Sequence, residues 1–311
     1  MSEVNPSHEA LLASPSTEGT EPNPTLGVTS ESPGQRAWRR LIRSRVTVAA
    51  MIFLGLLITI CTVGPSFSPY DQSQQDLELQ AVGPVPAHWL GTDTLGRDLL
   101  TRILFGGRIS LLVGILATAV ASVIGVGYGL IAGLSSRRVD AVMMRLVDVL
   151  YAFPFITFVI ILVVIFGREF WLIFLAIGAV EWLTMARVVR GQVLALKNLE
   201  FVLAARASGA GFLHILIKHM LPNVLGPVII YASLTVPGVM LLEATLSFLG
   251  LGIQPPDASW GVLIREGADN METYPWMLIG PGVFFSATLL ALNLIGDALR
   301  DALDPKSGAG E

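Results

Sequence analysis

Six apolar runs, each near the length of a bilayer-spanning helix, constrain this chain more than any other feature; they cover 46–63, 110–132, 149–166, 170–186, 224–242 and 276–295. A hydrocarbon core of about 30 Å takes about 20 apolar residues in a helix. Lipid offers no partner to bare backbone N–H and C=O groups, so spanning segments are helices or closed barrels. None of the runs alternates as barrel strands do, which predicts an all-α membrane protein with six transmembrane helices. Composition agrees, since 53% of the 311 residues are hydrophobic and only 14% are charged. A net charge of -4 gives no electrostatic case for nucleic acid. The single cysteine, Cys61, lies in an apolar run and reads as a small buried hydrophobe.

Orientation follows from the lysines and arginines between the runs. Fifteen fall on one side, among them Arg36, Arg39, Arg40, Arg43 and Arg45, and five on the other: Arg97, Arg102, Arg108, Arg168 and Arg265. The imbalance predicts both termini in the cytoplasm, for a multi-pass protein of the cytoplasmic (inner) membrane of a prokaryote. Residues 1–35 hold no lysine or arginine and no long apolar run, and are expected to form a disordered tail. They also lack the order of a cleavable secretory signal, so the first span is expected to serve as its own insertion signal. Within the second run Gly125, Gly129 and Gly133 recur every four residues, predicting a smooth stripe for close packing of a neighbouring helix.

The segment 187–222, between the fourth and fifth runs, is long and mixed in polarity, and is expected on the inner membrane surface. Asn198 is expected to cap a short helix with Glu200 in its first turn and Ala204 and Ala205 on a small-residue face. Gly209 and Gly211 are expected to break it, a second amphipathic piece to follow over 212–221, and Pro222 to close the unit. A smooth helical face bounded by a glycine turn suits insertion into a groove on a soluble partner; a plain connector is the other reading.

The run "LAARASGAGFLHILIKHMLPN" (203–223) resembles the signature of ABC importer membrane subunits: an Ala-Ala pair, a glycine four positions later and a proline thirteen beyond that. Ala204, Ala205, Gly209, Leu221 and Pro222 match it. The signature's leading acidic residue is Leu203 here, and an apolar position is His219, a histidine common in the peptide-importing branch. Further blocks resemble the same branch in order, among them "HWLGTDTLGRDLLTRILFGGRISLLVG" (88–114), "LSFLGLG" (246–252) and "GDALRDALDPK" (296–306). The likeness covers about 36–306 and is nearest to the C-type membrane subunit of oligopeptide importers.

The resemblance implies a type I ABC importer transmembrane-domain fold. It implies a basic segment, first helix and external loop over 36–105, a five-helix domain over 106–304, and a tail over 305–311. The coupling helix would lie at about 198–211, with Ala204, Ala205, Arg206, Gly209, His219 and Pro222 contacting the ATPase. Implied partners are a second homologous membrane subunit, two ATP-binding subunits that hydrolyse ATP with Mg, and an extracytoplasmic peptide-binding protein. Dipeptide or nickel import is the neighbouring alternative, and an ion-coupled secondary transporter the more distant one.

Charged residues at membrane depth are functional candidates by default. Asp148 is expected to pair with Arg145 or reach the interface, and Glu181 and Glu243 are candidates for the translocation path or outer gate. His8, His88, His214 and His219 lack zinc-site spacing, so no metal site is expected. No Gly-rich phosphate loop or nucleophile elbow occurs, so neither a bound cofactor nor a catalytic residue is expected. Residues 252–275, with Pro255, Pro256 and Trp260 and with Trp276 just beyond, read as an interfacial helix anchored by aromatics, or as a landing surface for the binding protein.

Overall fold

The computed structural model describes residues 33–167 and 170–303, and within them the chain is helical, with isolated bridges as its only extended pairings. Apart from residues 33–35, the tails expected at 1–35 and 305–311 lie outside the described residues, as does His8. Helix α1 (Pro33–Arg43) joins α2 (Arg45–Val63) through Ser44 alone, whose hydroxyl accepts the Thr47 N–H at 3.3 Å and starts the second helix. A 3-10 turn (Gly64–Phe67) extends it. After a long loop comes α3 (Leu99–Leu134), whose 36 residues make about 54 Å at about 1.5 Å each. That exceeds a hydrocarbon core, and its first turns stand outside the apolar run.

Helices α4 (Arg137–Tyr151) and α5 (Phe155–Phe166) meet at a 79° bend. The expected single span over 149–166 is therefore broken. Pro154 accounts for this: it has no N–H to donate, its ring would clash with the carbonyl four residues back, and it drives the preceding Phe153 out of helical geometry. Helix α6 (Phe170–Leu196) follows, then the short α7 (Glu200–Ala207). Next, α8 (Phe212–His214), a π-helical stretch over Ile215–Met220 and α9 (Leu221–Phe248) form one continuous rod. Pro222, expected to close a unit, lies instead in the first turn of α9. Hydrogen bonds in a π stretch skip one residue further, and this shift of register accommodates the amide that Pro222 lacks. Helices α10 (Trp260–Asp269) and α11 (Trp276–Leu303) complete the chain.

Among the described residues, four helical segments are long and apolar enough to cross a membrane: Arg45–Phe67, Leu99–Leu134, Phe212–Phe248 and Trp276–Leu303. A fifth crossing results if α4 and α5 count as one bent span. Helices α3 and α6 make the most extensive pair. Its seam is the glycine stripe: a Cβ on Gly125 would lie 2.6 Å from the Met185 Cβ, on Gly129 2.6 Å from the Ala186 carbonyl, and on Gly133 2.7 Å from the Val193 Cβ. Close backbone approach is what small residues at four-residue spacing permit.

The bundle has two distinct ends. One carries α7 and the last turns of α3 and α6 around a core of Leu134, Val189, Val193, Val202 and Met220; the last turn of α11 packs there against α1 through Leu41 and Ala302. The other carries the loop before α3 and helix α10 over a core containing Cys61, Leu99, Ile103 and Trp260. Cys61 is fully enclosed, as expected for a small core residue. Trp260 departs from expectation: it is wholly buried and donates its indole N–H to the Ile103 carbonyl at 2.9 Å, so it anchors the interior and not an interface. Trp276 likewise donates inward, to the Thr92 carbonyl at 3.1 Å.

Candidate functional site

Helix α7 has eight residues, too few to hold itself together in water. Tertiary anchoring supplies the difference. Val202 is fully buried and packs with Ile215, Met220 and Val224, which pins α7 to the π stretch and α9. Glu200 in its first turn and Arg206 in its last oppose the helix dipole. The N-cap is Leu199, with no side-chain hydrogen bond, and not the expected Asn198.

Gly209 ends the helix as expected, at φ +83. Its N–H bonds the Arg206 carbonyl at 2.9 Å and the Ala210 N–H reaches the Ala205 carbonyl at 3.0 Å, the paired closure of a Schellman turn. A Cβ at Gly209 would meet nothing within 4 Å, so the demand for glycine is conformational and not steric.

With Val202 turned inward, α7 presents Phe201, Leu203, Ala204 and Arg206 outward, while Ala205 is half-buried. The His219 ring lies 6.2 Å from Phe201 and 5.7 Å from His214, centre to centre. Beside it an open groove is lined by Leu213, His214, Ile217, Lys218 and Pro222. Ala204, Ala205 and Arg206 thus share α7, which Gly209 closes, with His219 and Pro222 on the rod beside it. Glu181 and Glu243 are not part of this surface.

Glu181 is half-buried on α6, a helix that packs on α9. Glu243 is completely enclosed. It accepts the Ser247 hydroxyl at 2.6 Å and the Ser110 hydroxyl at 3.3 Å, and Ser110 in turn accepts the Trp260 N–H at 3.1 Å. This network ties α9 to α3 and α10. Asp148 pairs with Arg187 at 2.9 Å and not with the expected Arg145, and Arg187 also stacks 4.5 Å over the Tyr151 ring. Asp140 takes Arg190 in two hydrogen bonds of 2.6 and 2.7 Å, clamping α4 to α6.

At the opposite end a buried ion cluster escaped the sequence reading, which counted its arginines only as loop charges. Arg102, 2% exposed, bonds Asp93 at 2.6 Å and Glu266 at 2.5 Å, and Arg97 donates to Asp93 at 2.6 Å. Beside it Asp98 takes His88 at 2.9 Å and caps α3 through the Thr101 N–H at 2.8 Å. The cluster holds the loop, the start of α3 and α10 together. The dense alternation of acids and bases in "GTDTLGRDLLTR" was the available signal.

Comparison with known proteins agrees with this arrangement. The family described as "Binding-protein-dependent transport system inner membrane component" matches residues 125–308, and that described as "N-terminal TM domain of oligopeptide transport permease C" matches 32–84. The oligopeptide transport system permease protein OppC of Haemophilus influenzae is 50% identical over 274 residues, 88% of each chain. The protein of the same name from Salmonella typhimurium is 50% identical over 283 residues, 90% of this chain and 94% of that one. A dipeptide transport system permease protein from Bacillus subtilis is 45% identical over 273 residues, 88% of this chain and 85% of its own. A helical bundle with several membrane-spanning helices, an anchored short helix at its basic end and these matches together establish that the chain belongs to the binding-protein-dependent transport system inner membrane components.

Proposed function

We propose that this chain is the membrane subunit of an ATP-driven oligopeptide importer, forming half of the translocation channel and itself performing no catalysis. The observation that carries the reading is α7: it is held to the bundle by Val202, closed by a left-handed Gly209, and turns a compact apolar and basic face outward. Such an element passes the motion of a soluble neighbour to α6 and α9, because its anchor is shared with both. Two ATP-binding subunits would supply that motion, hydrolysing ATP with Mg. A second homologous membrane subunit would complete the channel, and an extracytoplasmic peptide-binding protein would deliver cargo. Alternating access would then be a rocking of two bundles.

The topology we propose has six crossings, with α6 and the bent α4–α5 pair each counted as one, and both termini in the cytoplasm of a prokaryotic inner-membrane protein. The excess of arginine and lysine at the end that carries α7 supports that orientation. Ala204, Ala205, Arg206, Gly209, His219 and Pro222 would form or support the ATPase contact. Glu181, on α6, would face the path. Glu243, enclosed by serines, would set the position of α10 at the outer gate.

Oligopeptides are the preferred cargo because the relatives at 50% identity carry that name; the dipeptide permease at 45% favours shorter peptides as the second reading. The test is Gly209→Val. A β-branched residue resists positive φ, so the α7 closure should distort and ATP-driven uptake should fall at least about tenfold, corresponding to about 1.4 kcal/mol of lost coupling. Full uptake at normal expression would remove α7 from the coupling role.

A further inference from the structure

We infer that α1 is a membrane-surface anchor that binds anionic phospholipid headgroups, seating Trp38 and Ile42 at the level between headgroup and acyl chain. On a helical wheel the apolar side of α1 spans Leu41, Trp38 and Ile42. Helix α11 covers only part of it: Leu41 is 8% exposed and packs with Ala302, while Trp38 is 59% and Ile42 48% exposed. The uncovered part faces away from the bundle. After the single-residue break at Ser44, α2 also leaves apolar side chains exposed, among them Val46, Ile52 and Phe53. A helix one residue from a span lies close to the bilayer surface, where attraction to charged headgroups draws its apolar stripe in against acyl chain.

Charge names the lipid. Five arginines lie within 36–45 and Arg300 lies in the α11 turn opposite, against Glu31 and Asp304 in the flanking sequence and two aspartates in α11, Asp297 and Asp301. The α11 aspartates share a cleft with Arg40 and Arg43. Even if both are neutralised there, positive charge remains in excess beside the stripe, with Arg45 exposed at the foot of α2. A basic amphipathic helix with tryptophan on its apolar side partitions to anionic surfaces.

The test uses the full chain reconstituted in bilayers of phosphatidylcholine alone or of equal parts phosphatidylcholine and phosphatidylglycerol. Because Cys61 is enclosed, Ile42→Cys offers the accessible thiol for an environment-sensitive fluorophore. The expected result is strong quenching by brominated acyl chains in the mixed bilayer and weak quenching in phosphatidylcholine. Adding Arg43→Gln and Arg45→Gln should erase that difference, each arginine contributing about fivefold to partition. A second measurement counts phosphatidylglycerol retained by the purified protein in native mass spectrometry, with the double variant retaining fewer molecules. Equal quenching in both bilayers, or a probe shielded from lipid in both, would overturn the inference, the latter showing that protein covers this face.

Discussion

Arg102 shows how a single side chain ties distant segments into one fold. Its guanidinium is buried and holds acids from the loop and from α10 at once. Replacing it by alanine leaves Asp93, itself 1% exposed, with less compensation. Breaking a buried ion pair from one side costs about 3–5 kcal/mol, so Arg102→Ala should lower the thermal midpoint in detergent markedly. A smaller loss in an Arg102→Met, Asp93→Asn double variant would show that the orphaned charge carries most of the damage. Glycines 125, 129 and 133 act at the same scale by subtraction, since each gives its space to a residue of α6.

At the scale of the element, α7 depends on tertiary support. Val202→Ser removes the apolar anchor and puts a hydroxyl in an apolar pocket, a loss of about 2 kcal/mol. The expected outcome is a bundle that still folds, by circular dichroism, but that no longer retains the proposed ATP-binding subunits on purification. Undiminished co-purification would show that docking does not need the anchored geometry. The elements also mark where local reading reaches its limit. The glycine closure of α7 and the α3 stripe were legible because a glycine's backbone freedom and a residue's size are properties of short windows, whereas the N-cap of α7 was misread as Asn198. The bend at Pro154 had a plain local cause, yet an uninterrupted apolar run concealed it. Pro222 misled in the opposite direction, because the π stretch that tolerates a proline inside a continuous rod comes from the wider register of hydrogen bonds.

For the molecule as a whole, the decisive question is which end faces the cytoplasm. A cysteine at Ser208, beside α7, should react with a membrane-impermeant maleimide only in inside-out vesicles, and one at Ser73, in the loop before α3, only from outside in intact cells. Both positions are exposed. Reaction of both from the same side would refute the proposed topology and the coupling role with it.

Apolar run length determined from sequence alone that this is a helical membrane protein, glycine spacing that one of its helices packs closely on a neighbour, and its ordered motifs identified the family. These signals are local, or sums over the chain, so no folding has to be known to read them. The tertiary structure alone decided that Glu243 is enclosed by serines, that Arg97 and Arg102 are ion-cluster members and that Trp260 is core. The polar partners come from residues far apart in the chain, such as Arg102 and Glu266 or Ser110 and Glu243. Burial depends in the same way on which helices pack over a residue, and no window of sequence contains that information.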